Sequence, residues 1–543
     1  MSNDTNLTSE RISTAQAGTQ AGSVIKNALK MAFGTMTSRL LGLFREVLLA
    51  ALFEKHITDA WSAAFRIPNL FRRLLGEGSL SVSFIPVFVD AHLDSEARAK
   101  NLVNTMYSIL LIILSAITVF GLLFPDLILS TVLDPAYVAQ TEKYNLTVHM
   151  AQIMFLFLFF ISSFAFFMGI LNALGEFFLP AVAPTLWNLA MVISTIWPSR
   201  WLSRESANYG DQLAWGVVIG GALQCLILIP ALHRKGYFPK LTTKFKNPDV
   251  NRVFRNMIPG LIGTGLLQFT TVVNLRFSSS LNEGTISYIN YIDRLIELPL
   301  SLISVSLGTA LLPSLSKLWS QNSREAFAAE SRKYLELNLL ISIAAACGLY
   351  SLAQPIVQLL FGRGLFSLND VIIASEILKT YCWILIFASG VRVLTPAYFA
   401  VKNTWLPAVI SGGCFLVHIM LAPILMSKYQ VHGLMISTTI TAGMNMLLLL
   451  VFYNKFIHKF NYTQYLKNVF KFILIGACIF GITQIYYLME GSFPANNFGV
   501  GLNLILTLMA AGAMFIVSCH FLKVDFIHEV LSKIQSRIAR IKK

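Results

Sequence analysis

With 543 residues, 55% of them hydrophobic and only 13% charged, and with a mean hydropathy of +0.64, this chain has too few charged side chains for a water-soluble surface, which takes about a quarter. Composition therefore excludes a soluble enzyme and makes the chain an all-α polytopic membrane protein. Its net charge of +15 reflects basic connections between apolar runs, not nucleic-acid binding.

Residues 1–22 are rich in Ser, Thr, Asn, Gln and Gly and have no basic stretch leading into an apolar core, so they are expected to form a mobile cytoplasmic tail and not a cleaved signal peptide. A hydrocarbon core of about 30 Å takes about 20 apolar residues per crossing. On that measure the chain offers fourteen transmembrane helices: 28–52, 60–89, 102–124, 148–173, 180–198, 212–232, 256–281, 286–313, 332–353, 374–400, 405–426, 432–453, 468–489 and 499–522. The second and eighth each carry charges and an internal proline. Bases collect after even-numbered spans: Arg234 to Arg255 after the sixth, Lys317 to Lys333 after the eighth, Lys455 to Lys471 after the twelfth. The odd-numbered exits are poor in bases, so both termini are expected in the cytoplasm. Residues 525–543 alternate apolar positions with Lys533, Arg537, Arg540, Lys542 and Lys543, the pattern of a basic amphipathic helix on anionic lipid.

An internal repeat divides the chain. Arg66-Ile-Pro68 leads to Phe84-Ile-Pro86, and Arg294-Leu-Ile-Glu297-Leu-Pro299 leads to Leu311-Leu-Pro313; Pro86 and Pro313 lie 227 residues apart. Six spans separate the copies, so they share one orientation and imply an axis along the membrane normal. The expected organisation is an N-lobe at 23–235 (spans 1–6), a C-lobe at 236–458 (spans 7–12) with a cavity between the lobes, and spans 13 and 14 at 459–524, before the tail at 525–543.

Charge inside the spans is the chemical signal. Arg39, Arg45, Arg66, Arg72 and Arg73 fall in or beside the first two spans, and Asp293, Arg294 and Glu297 share one turn of the eighth. Four buried arginines would cost ~10 kcal/mol on insertion scales unless they line a wet or anion-filled space. Asp59, Arg66 and Arg73 are seven residues apart with Glu77 four further on, one polar stripe on an unbroken helix. Pro68 kinks that helix and brings Arg72 inward in place of Arg73. Guanidinium groups suit a diphosphate because their planar fork gives two parallel charge-assisted hydrogen bonds and stays protonated. The competing use of these arginines is pairing with Glu46, Asp59, Glu77, Asp293 and Glu297 to join helices.

Catalysis finds no residues. The nine histidines are scattered, no paired carboxylates occur in the loops, and the six cysteines stand singly without a C-x-x-C pair, so no catalytic residue, metal site or cofactor is expected. Gly260-Leu-Ile-Gly263-Thr-Gly265 follows no strand and reads as close helix packing, not a phosphate loop. The aromatic run from Phe155 to Phe167 reads as lipid-facing surface.

The run from Ser38 to Pro86, with Tyr291-Ile-Asp293-Arg294-Leu and Leu307-Gly-Thr-Ala-Leu-Leu-Pro313-Ser-Leu-Ser-Lys317, closely resembles the MurJ (MviN) family of lipid II flippases in the MOP transporter superfamily. The likeness extends over the whole chain. It implies two lobes around a cationic cavity and a groove on spans 13 and 14 for the polyprenyl tail. It also implies that Arg39, Arg45, Arg72 and Arg294 contact the diphosphate and sugar headgroup, and that Ser38, Asp59, Ser287 and Glu297 match cavity or gate positions. The partners implied are lipid II, membrane lipids and the cell-wall synthesis machinery, for a monomer in the bacterial inner membrane. Two departures stand out: Glu46 where the family commonly has Asp, and no Asp or Glu within spans 7, 11 and 12, where some relatives are thought to hold sodium. The second departure speaks against sodium coupling. The alternatives are a flippase for another polyprenyl-diphosphate-linked glycan, or a multidrug exporter of the same superfamily, whose often cationic substrates would call for acids in place of arginines.

Overall fold

The structure, a computed structural model, describes residues 34, 36–74, 80–196, 209–301, 306–494 and 496–524, with backbone alone at 80–82, 258–267 and 306–310. Both terminal tails and Glu77 lie outside the described residues. Among the described residues there is no strand, and every one of the fourteen expected spans falls on helix. Eight helices are long and apolar enough to cross a membrane unaided, or nine if the pair Leu368–Tyr381 and Ile384–Ala400, bent by 44°, counts as one span.

The chain divides into two compact units, the first comprising Met1–Phe53, Ala60–Thr131 and Val138–Gln268, the second Glu54–Asp59, Val132–Tyr137 and Phe269–Lys543. In chain order the first helices are α1 (36–52), α2 (Lys55–Leu74), α3 (Leu80–Asp94) and α4 (Glu96–Leu123), then the short α5 (Pro125–Val132) and α6 (Pro135–Val138). They are followed by α7 (Thr141–Ala173), α8 (Phe178–Ile196), α9 (Asp211–Leu226), α10 (Ile229–Arg234) and α11 (Pro248–Ser279). The expected second span falls on α2 and α3, with residues 75–79 between them outside the described residues. Each holds an internal proline, Pro68 and Pro86, whose missing N–H and clashing ring oppose one straight helix. The run 260–265 is helical within α11.

At the heart of the first unit lies α7, packed on α3, α4 and α9. Here the reading of Phe155–Phe167 as lipid-facing is corrected: Phe155, Phe157, Phe164, Phe166 and Phe167 are all buried. The physical reason is glycine. A Cβ on Gly121 would stand 2.2 Å from the Phe155 ring and one on Gly221 2.5 Å from the Phe157 ring, so rings fill space that α4 and α9 leave empty. Close packing of this kind holds helices together where lipid is as apolar as the side chains. At the polar end of this unit Arg98 grips Asp249 with two hydrogen bonds of 2.8 and 2.7 Å, tying α4 to α11 and holding the Asp249 carboxyl below the usual carboxylate range.

The second unit continues with α12 (Thr285–Leu300), α13 (Ser306–Ser320), α14 (Arg324–Ser351), α15 (Ala353–Phe361), α16 (Leu368–Tyr381) and α17 (Ile384–Ala400). Then come α18 (Trp405–Phe456), α19 (Tyr462–Thr483), α20 (Ile485–Leu488) and α21 (Asn497–Phe521). The expected eighth span likewise falls on α12 and α13, with Pro299 and Pro313 inside them, so the repeat seen in the sequence is a repeat of proline-bearing helix pairs. Spans 11 and 12 are joined within α18 at Gln430, whose φ of 50° and ψ of −128° reverse the chain; Gly433 comes so close to Leu425 that a Cβ would meet its carbonyl at 2.3 Å. Helices α19 and α21 pack on each other, and α19 also on α14, where a Gly476 Cβ would stand 2.9 Å from Ile343. Phe472, Ile479 and Cys519 thereby share one buried cluster with Leu339 and Met446.

Candidate functional site

In the first unit the deepest charge is Arg45, 1% exposed, on α1. Its guanidinium is ion-paired with the next residue, Glu46, itself buried, and Nη1 donates to Asn188 Oδ1 of α8 at 3.3 Å. Asn188 Nδ2 turns back to α1 and donates to the Ser38 carbonyl at 2.9 Å and to Ser38 Oγ at 3.1 Å. Gly42 faces this amide, and a Cβ there would sit in ordinary contact with Asn188 Oδ1 at 3.5 Å. The guanidinium faces the Trp187 ring at 4.7 Å and the Trp61 ring at 5.8 Å, in an aromatic slot that Phe65 extends by stacking between both tryptophans. A buried ion costs several kcal/mol to desolvate, and here a carboxylate, an amide and two π faces offset that together.

The other arginines of this unit are less enclosed. Arg39, Arg66, Arg72 and Arg73 are half-buried, and Arg72 Nε donates to Asn69 Oδ1 at 2.8 Å, one turn before it on α2.

In the second unit Asp59, 1% exposed, closes the start of α12. Its carboxylate accepts from the Gly284 amide at 2.7 Å, the Ser287 amide at 2.9 Å and Ser287 Oγ at 2.7 Å, and Thr58 Oγ1 lies 2.8 Å from Ser287 Oγ. Gly284 is the cap position of α12 with φ of +88°, a left-handed geometry that glycine adopts freely but that offers no side-chain acceptor. Asp59 supplies that acceptor from another helix, and its negative charge meets the positive end of the α12 dipole. Beside it Asp370, in a capping box with Ser367 at the start of α16, also accepts from Tyr288 Oη at 2.6 Å and pairs with Lys55 Nζ at 2.7 Å. Further along α12, Arg294 pairs with Glu297 at 3.0 Å, both side chains about 40% exposed, and Asp293 is half-buried.

A polar group that sequence reasoning passed over joins spans 7, 11 and 12. His418, 1% exposed, bonds through Nε2 to Asn274 Oδ1 at 2.7 Å and through Nδ1 to Ser437 Oγ at 2.9 Å. Because Asn274 Oδ1 accepts, Nε2 carries the hydrogen and Nδ1 accepts from the serine. The structure thus draws Ser38 and Arg45 together through Asn188, Asp59 and Ser287 by direct contact, and Arg294 with Glu297. Asn188, Trp187, Lys55, Tyr288 and Asp370 were missed. A lone Asn inside the apolar fifth span was the readable signal, because such a group needs a partner in hydrocarbon.

A family model described as "Lipid II flippase MurJ" matches residues 48–509. The chain is 48% identical over 468 residues to a probable lipid II flippase MurJ of Bdellovibrio bacteriovorus, covering 86% of this chain and 89% of the relative. It is 32% identical to the lipid II flippase MurJ of Burkholderia cenocepacia, covering 76% of this chain and 81% of the relative. Among solved structures it is similar to a lipid II flippase MurJ in an inward closed conformation, with TM-score 0.75, 25% identity and coverage of 91% and 99%. It also shares its fold with a multidrug resistance MATE family transporter of the MOP superfamily, with TM-score 0.64, 14% identity and coverage of 82% and 98%. Proline-bearing helix pairs in both halves, arginines within the membrane spans and similarity over most of the sequence agree: this chain belongs to the lipid II flippase MurJ family.

Proposed function

We propose that this protein moves lipid II from the cytoplasmic to the outer leaflet of the bacterial inner membrane by alternating access, acting as a transporter without a catalytic step. The observation that carries this reading, beside family membership, is the investment of the spans in guanidinium groups. Arg39, Arg72 and Arg294 are half-buried, and the planar fork of each suits one phosphate of a diphosphate. Arg45 is enclosed, so its part is to lend positive charge and to fix α1 against α8 through Asn188. The same excess of arginine over carboxylate argues against a cationic drug as cargo. Both termini lie in the cytoplasm on this reading, the protein works as a monomer, and the polyprenyl tail stays in lipid along α19 and α21.

Complementation tests it. In a strain whose resident lipid II flippase is depleted, the wild-type chain is expected to restore growth and the Arg294→Ala form to fail. Removing one bidentate anion contact lowers transport about 10- to 100-fold if it contributes the roughly 1.5–3 kcal/mol of a charge-assisted hydrogen bond. Growth restored by Arg294→Ala would return that residue to a structural pair with Glu297. Competition between lipid II and other polyprenyl-diphosphate glycans for the purified protein separates the two cargo classes.

Voltage gives a second test. A dianionic headgroup moving outward through an inside-negative field of 100 mV gains about 2.3 kcal/mol per charge carried across. Depolarised cells or vesicles are therefore expected to export lipid II several-fold more slowly at unchanged protein level. Equal rates with and without potential would mean that the arginine charge travels with the cargo and cancels it.

A further inference from the structure

Where α14, α19 and the end of α21 meet, the second unit holds a cavity of about 320 Å³, at the low end of the roughly 300–1,000 Å³ of small-molecule sites. Arg332, Lys333, Lys471 and Lys523 line it against one carboxylate, Glu336, and Leu340 and Phe472 form its apolar side. Arg332 is engaged by Gln464 at 2.9 Å and by Glu336 at 3.6 Å, whereas Lys471 and Lys523 make no ion pair among the described residues. The cavity also sits at a defined depth. On α14 no charged residue follows Glu336 and on α19 none follows Lys471, so it lies where two apolar spans begin, at headgroup level.

Lys523 adds an independent observation. It ends α21 in the left-handed region, φ 49°, with its amide bonded to the His520 carbonyl and the Val524 amide to the Cys519 carbonyl, the helix stop that glycine normally occupies. Lys402 ends α17 in the same left-handed way, so the backbone alone is not the argument. At Lys523 the left-handed position also places the residue on the cavity wall, with Val524 beside it. On the outer face of α19, Leu466 and Phe470 are 62% and 61% exposed next to Lys467 and Lys471, an apolar track leading away from the bases.

The geometry points to a binding site for the phosphodiester headgroup of an anionic phospholipid, held by Lys471, Lys523 and Arg332 with its acyl chains along Leu466 and Phe470. Basic pockets between membrane helices recognise such headgroups through charge at the leaflet surface. A net-neutral lipid brings its own cation and wastes the excess of bases.

Native mass spectrometry of the full-length protein, titrated with short-chain phosphatidylglycerol and with phosphatidylcholine of the same chains, tests this. One phosphatidylglycerol is expected to saturate at concentrations where phosphatidylcholine does not bind. Lys471→Gln and Lys523→Gly are each expected to weaken binding about fivefold, the worth of one base at an anionic surface. Lys523→Gly is the sharper of the two, because glycine suits the left-handed stop and the variant should melt no lower than wild type. Equal binding of both lipids, unchanged affinity in both variants, displacement by inorganic phosphate as effective as by lipid, or preference for a polyprenyl diphosphate would each overturn the assignment. No transport step enters this measurement, so its outcome is independent of the flippase reading.

Discussion

Arg45→Ala is expected to destabilise the protein by about 3–5 kcal/mol and to abolish lipid II export, because it strands Glu46 as an unpaired charge in the interior. Thermal unfolding in detergent reads the first effect and vesicle export the second. The informative companion is the double variant Arg45→Met, Glu46→Gln. Replacing a buried ion pair by uncharged groups of similar volume is often neutral or stabilising, so the double variant should melt near wild type. Transport should nonetheless stay lost, since no positive charge remains behind the aromatic slot of Trp61 and Trp187. A double variant that exports normally would reduce Arg45 to a packing residue.

Asp59→Ala carries the second large effect. It removes the shared acceptor of the Gly284 amide, the Ser287 amide and Ser287 Oγ, all buried. Loss of a helix cap costs about 0.5–2 kcal/mol, and charge-assisted bonds with orphaned partners raise this to about 3 kcal/mol. Hydrogen exchange at the first turn of α12 should accelerate by at least about tenfold. Asp59→Asn keeps one acceptor oxygen, enough for the Ser287 amide and hydroxyl, but sets its NH2 against the Gly284 amide and loses the charge at the helix dipole, so its protection should fall between wild type and Asp59→Ala. Equal exchange in wild type and Asp59→Ala would show that the α12 terminus is held by something else.

Much of the architecture was legible because hydrocarbon leaves few choices. Apolar length placed the spans, and charge with proline marked the two that fall on the helix pairs α2/α3 and α12/α13. The misreading of Phe155–Phe167 has a plain cause: in a membrane, lipid-facing and core-facing surfaces are equally apolar, and only the glycines on neighbouring helices reveal which way the rings point. The candidate site was legible by residue type and not by partnership. Arginines in a span announce themselves, but the amide that holds Arg45 comes from a residue 143 positions away, and the donors that hold Asp59 are largely backbone groups 225 and 228 positions away. Glu77, the last member of the expected polar stripe, lies outside the described residues. Lys55, Tyr288 and Asp370 stand at helix ends, where ordinary interfacial residues look the same in sequence.

The reversal at Gln430 has a consequence for what this protein tolerates. Surface connections are normally where chains absorb inserted residues, epitopes and bulky probes. Between spans 11 and 12 there is almost no connection to lengthen, and backbone already fills the space beside Gly433. Tags and labels placed there would pry apart two packed crossings, so engineering belongs at the longer polar joints, such as the stretch between α10 and α11.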